Sequence, residues 1–167
     1  MKVRQGFVSN SSSSSFIVAF DSVPQTVEDV KTQMFGDDES WEADGWDEYW
    51  NSIPVLYPTA DIAKSVFDQI QNQEEFLPKS LLGVLSSGTV DGQPEYNYKN
   101  YNSEEYYREY DRKCKTFYEK KLNEFLSKNK NKCIYVFNYS DNDSTWDSMM
   151  EHSGIFENLD HIRISQH

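Results

Sequence analysis

Three histidines, His152, His161 and His167, all fall in the last 16 residues of this 167-residue chain. Extending that stretch back to residue 141 adds the carboxylates Asp141, Asp143, Asp147, Glu151, Glu157 and Asp160. Imidazole nitrogens and carboxylate oxygens are the usual ligands of zinc, manganese and iron. Asp141, Asp143, Glu151 and His152 are therefore the candidate catalytic groups. Asp141, Asp143, His152, His161 and His167 are the candidate metal ligands, and a divalent metal is what such a set would take. The spacing is neither His-Glu-x-x-His nor that of an EF-hand loop, so the motifs themselves call for no cofactor. The plainer reading is that Asp141 and Asp143 stabilise a turn. In it, His152 gains from lying near a helix C-terminus and His167 ends the tail.

A second chemical feature is the run of five serines, Ser11, Ser12, Ser13, Ser14 and Ser15. A serine nucleophile needs a neighbouring base, and the Gly-x-Ser-x-Gly elbow is absent. Hydroxyls and backbone N–H groups can cradle phosphate, but no glycine-rich turn or following lysine accompanies them. The favoured reading is structural: an ordered strand–loop–strand in which small side chains bond locally to the backbone. As candidate ligand-binding residues, Ser11–Ser15 are expected near the Asp141–Asp143 loop or near Glu151 and His152. The reason is that the two strongest strands, Phe16–Phe20 and Cys133–Tyr139, are the best neighbours at a sheet centre.

The third feature is acidic and aromatic. Seven carboxylates lie between Asp37 and Glu48 with no base among them, and Trp41, Trp46, Tyr49 and Trp50 are interleaved or adjacent. Tryptophan and tyrosine are typical interface anchors, so these four are the candidate partner-binding residues and a protein with a basic surface is the candidate partner. A mimic of nucleic acid would need carboxylates uninterrupted by large rings. The net charge of −12 also disfavours binding to a phosphate backbone.

Strands are expected at 2–8, 16–20, 133–139 and 161–165. Phe16–Phe20 is continuously apolar, as a strand buried on both faces is. Thr26 with Asp29 opens a helix over 27–35 that Gly36 stops. A short helix in 37–52 would put Trp46, Tyr49 and Trp50 on one face. Pro54 and Pro58 read as punctuation. Thr59 caps a helix with the stripe Ile62, Ala63, Val66, Phe67 and Ile70, and Leu81, Leu82 and Leu85 fit a further helical turn. Ser103 caps the longest helix, running to about residue 129, whose core stripe is Tyr107, Tyr110, Cys114, Phe117, Tyr118, Leu122 and Phe125. Thr145 opens a last short helix through His152.

These elements predict a single domain over 1–167, with the acidic aromatic segment at 37–52. The fold class is α+β (or α/β): one mixed sheet with the terminal strands central, packed by helices that include the long one near 103–129. The two cysteines, Cys114 and Cys133, read as free thiols. No window reaches the ~18 apolar residues of a membrane span. Lys2 and Arg4 are followed by no apolar leader, so no membrane partner and a cytoplasmic location are expected.

Both ends of the chain resemble a known group. Gly6-Phe7-Val8-Ser9-Asn10, the serines and Phe16-Ile17-Val18 form one end. Tyr139-Ser140-Asp141-Asn142-Asp143, Met150-Glu151-His152 and His161 to His167 form the other. They are similar to a family of small bacterial and bacteriophage proteins that begin with this serine-rich signature. The family has no established activity, so the resemblance implies a mobile-element or bacterial cytoplasmic setting and no mechanism. The expected function is an accessory protein that binds another macromolecule, a protein rather than nucleic acid. The alternative is a metal-dependent or phosphate-handling enzyme formed by the serine loop and the C-terminal Asp/Glu/His cluster. A structural or virion-associated role is the third reading.

Overall fold

The structure, a computed structural model, describes residues 13–46, 52–73, 78–97, 103–140 and 145–166. In chain order the elements are β1 (Ser13–Phe20), α1 (Val27–Phe35), β2 (Ser40–Trp46), β3 (Ser52–Pro58), α2 (Thr59–Ile70) and α3 (Pro78–Leu85). They continue with β4 (Thr89–Val90), α4 (Glu104–Lys128), β5 (Cys133–Ser140), α5 (Thr145–His152) and β6 (Asp160–Ser165). The fold is α+β. Four strands form one sheet in the order β4-β6-β1-β5, and β2 and β3 form a separate two-stranded ribbon. Every pairing is antiparallel, which replaces the expected single mixed sheet with two antiparallel ones.

β1 is central because it is apolar on both faces. Phe16, Val18 and Phe20 enter a core with α1, α2 and α5, while Ile17 and Ala19 enter a second core with α3 and α4. The chain between α2 and α3 therefore passes from one face of the sheet to the other. Gln73 marks the crossing on the outer edge of β5: its Nε2 donates to the Val136 carbonyl at 2.7 Å, and its Oε1 accepts from the Val136 N–H at 2.9 Å. The carboxamide thus takes the place of a peptide unit on an otherwise open strand edge.

Local signals set the helices. Thr26 and Asp29 form a reciprocal capping box on α1, and Gly36, at φ 60°, ends it. Ser103 caps α4 through the Tyr106 N–H. Cys114, Tyr118, Leu122 and Phe125 of α4 are buried, Tyr110 and Phe117 are half-buried, and both cysteines are free thiols. The expected stripe is too long by one residue: Tyr107 meets the Tyr96 ring at 5.9 Å and is 43 % exposed. Pro58, not Thr59, occupies the cap position of α2, while the Thr59 hydroxyl donates to the Asp38 carbonyl.

Two further expectations are corrected. Ser13, Ser14 and Ser15 are not loop but the first residues of β1, because each finds a cross-strand partner on β5. The segment 37–52 does not form a short helix. Ser40–Trp46 is a strand, since Trp41 and Ala43 alternate inward opposite Tyr57 and Val55. Pro54 and Pro58 lie within β3, where they are compatible with pairing. The Thr59 N–H to Glu39 carbonyl bond fixes the ladder phase and turns both proline nitrogens to the outer edge. The strand expected at 2–8 lies outside the described residues.

Candidate functional site

Antiparallel register brings the serine end of β1 against the C-terminal residues. Ser14 pairs with Ser165 of β6, and Ser15 with Asn138 of β5. Alternation then sends Ser14 to the α5 face and Ser13 and Ser15 to the α3/α4 face. On the α5 face the Ser14 hydroxyl donates to Glu151 Oε1 at 2.9 Å. It accepts from Arg163 Nε and Nη2 at 3.3 and 3.2 Å. Arg163 also lies over the Phe16 ring, 5.8 Å from its centroid. His152 closes the group, with Nε2 3.7 Å from Glu151 Oε2 and Nδ1 3.5 Å from Arg163 Nη2.

On the opposite face Ser15 donates to Asn138 Oδ1 at 2.6 Å and accepts from Gln166 Nε2 at 3.2 Å. Ser13 donates to Gln166 Oε1 at 3.0 Å. The two ends of the chain are thus tied on both faces of the sheet. Of the candidates in this region, Ser14, Glu151 and His152 converge on one network, together with Arg163. Ser13 and Ser15 serve a second network beneath. His161 stands apart, with Nδ1 3.0 Å from the Leu159 carbonyl. Ser11, Ser12, Asp141, Asp143 and His167 lie outside the described residues. Among the described residues no group of three or more His, Cys, Asp or Glu could hold a metal ion.

Burial limits the chemistry of the α5-face network. Ser14 and Glu151 are each 1 % exposed, so no substrate reaches the hydroxyl or the carboxylate as they stand. Arg163 and His152 form the exposed rim. A carboxylate buried beside a hydroxyl that a guanidinium also donates to is a satisfied ionic cluster, and the groups that satisfy it lie far apart in the chain. Arg163 in this network and Gln166 in the one on the opposite face escaped sequence reasoning. The signal for Arg163 was the alternation of 161–165, which put it on the same face as His161; Gln166 had none.

The ribbon is built differently. Its inner face is anchored: the Trp41 indole N–H donates to the Ser153 carbonyl and hydroxyl, both at 3.1 Å, and the ring packs on Phe35 at 5.3 Å. Tyr57 meets Trp146 edge-on at 5.8 Å. Lys31, buried, donates to Glu39 at 2.8 Å, which raises its pKa above the usual lysine value. The outer face carries Glu42 and Asp44 on β2, opposite Leu56 and Pro54 on β3. Leu56 is 64 % exposed, the highest exposure among the large hydrophobic residues described. Of the four aromatic candidates, Trp41 is turned inward and half-buried and Trp46 ends β2, while Tyr49 and Trp50 lie outside the described residues. Leu56 is an exposed apolar group on this acidic face, which sequence reasoning passed over because Pro54 and Pro58 flank it.

Among the described residues no helix is long and apolar enough to cross a membrane. No protein-family model matches the chain, and neither a curated protein nor a solved structure matches it.

Proposed function

We propose that this protein works by binding another protein, and that the outer face of the β2–β3 ribbon is the contact surface. The observation that carries this reading is Leu56, 64 % exposed and directly across from Glu42 on a face that also carries exposed Asp44. An apolar anchor ringed by carboxylates fits a basic surface with an apolar recess: the leucine supplies burial, and the charges supply steering and register. The closure of the serine-end cluster supports binding over catalysis, since Ser14 and Glu151 are engaged with each other and covered. The proposed setting is a bacterial or phage-infected cell, as the resemblance of the chain's two ends implies.

The test is photo-crosslinking in bacterial cells from a benzophenone amino acid at position 56, compared with one at position 113 on the solvent side of α4. Position 56 should yield a discrete adduct with a basic protein that fades as salt is raised after lysis, and position 113 should not. Identical adducts from both positions, or none from position 56, would refute the reading.

A further inference from the structure

Between β2 and the C-terminal end of α5 lies a cavity of about 200 Å³, lined by Asp44, Ser148, Met149, His152 and Ser153. We infer that this cavity receives one basic side chain, lysine or arginine, of the bound partner. The inference rests on the ribbon reading above and names the anchor that the ribbon would use.

Size is the first argument. Pockets for small-molecule ligands run from about 300 to 1,000 Å³, so this one suits a single long side chain better than a metabolite. Charge is the second. Asp44 is an acidic residue of the lining, and the end of α5 adds the negative pole of its helix dipole; both disfavour an anion and favour a cation. Chemistry is the third. The hydroxyls of Ser148 and Ser153 can accept from an ammonium or guanidinium, and buried Met149 offers an apolar floor for the methylene stem. Among the described residues a positive group lies nearby: Arg163, with Nη2 3.5 Å from His152 Nδ1, is bonded to Ser14, and the Glu151 carboxylate lies 3.7 Å from the same ring. Continuity is the fourth, since Asp44 belongs both to the cavity and to the ribbon face that carries Leu56. A partner docked on Leu56 would have the cavity within reach of a neighbouring side chain.

The experiment is an NMR titration of the full chain with N-acetyl-arginine methylamide, N-acetyl-lysine methylamide and, as the uncharged isostere, N-acetyl-norleucine methylamide. At least one cationic probe should give saturable shifts at the amides of Asp44, Ser148, Met149 and Ser153, and norleucine should give none. Comparing the two cations identifies the side chain. Asp44→Asn should weaken binding about tenfold. Ser148→Leu, which fills the cavity and leaves every charge in place, should abolish it; this separates a pocket from diffuse attraction to an acidic protein. No saturable shift with either cation, or shifts unaffected by Ser148→Leu, would overturn the inference. A crosslink from position 56 without probe binding would sink the cavity alone. Probe binding without that crosslink would sink the ribbon reading and leave a cation pocket.

Discussion

The serine end of the sheet and the acidic ribbon are both polar, and they use polarity in opposite ways. At the serine end each hydroxyl is spent inside the protein: Ser14 on Glu151 and Arg163, Ser15 on Asn138 and Gln166, Ser13 on Gln166. In the ribbon the inward face is tied down by Trp41, Tyr57 and Ala43, and exposed Glu42 and Asp44 share the outer face with Leu56. Polar groups that satisfy one another hold a fold together; exposed acids beside an exposed leucine are the surface proposed above for a partner. Substitutions at the serine end should therefore cost stability, and substitutions on the ribbon face should cost binding.

The sharpest contrast comes from the sheet core beside the serine end. Phe137 is fully buried and stacks on Phe156 at 4.9 Å. Phe137→Ala should cost about 3–5 kcal/mol in denaturant unfolding. Glu151→Ala should cost about 1.5–3 kcal/mol, the range for a hydrogen bond to a charged group, and Ser14→Ala added to it should cost much less than it does alone. Additive losses would mean that Ser14 and Glu151 do not act as a pair. Gln73→Ala removes both bonds to Val136 and should cost about 1–2 kcal/mol while exposing the Val136 amide to hydrogen exchange.

Much of this architecture is legible in the chain because local rules and tertiary packing agree there. Thr26 with Asp29, the Ile62–Ile70 stripe, the Ser103 cap and the run Phe16–Phe20 each point to the element that forms. The ribbon is not legible, because Trp46, Tyr49 and Trp50 have helical spacing while Trp41, Ala43 and Gly45 alternate at period two, and only the pairing with β3 decides between them. The proximity of the serines to Glu151 and His152 follows from placing the two strongest strands side by side. Arg163, Gln166 and Gln73 do not announce themselves, since each bonds to residues far away in sequence and nothing in its neighbours marks it. Tyr107 matches the α4 stripe by spacing but stands outside the buried cluster under α4 and meets Tyr96 instead.

A smaller effect concerns acid. The hydrogen bond from Lys128 holds the Asp160 carboxyl below its ordinary range, and the charges of Lys128 and Lys132 add to this. The unfolded chain therefore binds the proton more readily. The stabilisation is complete above the unfolded aspartate value of roughly 3.9 and is lost as pH falls through the lower folded value. The site is partly open to solvent, so the effect is modest. The difference in urea midpoint between the wild type and Lys128→Met should be largest near neutrality and shrink toward about pH 3. A difference that grows on acidification would contradict the assigned pairing.

The smallest expected change in stability is at the ribbon face, and the most direct measurement is made there. Leu56→Asp should leave unfolding free energy within about 0.5 kcal/mol of the wild type, as an exposed substitution does. Affinity capture from a bacterial lysate, quantified by mass spectrometry against the wild type in parallel, should then show the loss of a basic protein that the wild type retains. Retention of the same protein by a folded Leu56→Asp variant would contradict the assignment of the ribbon as the binding surface.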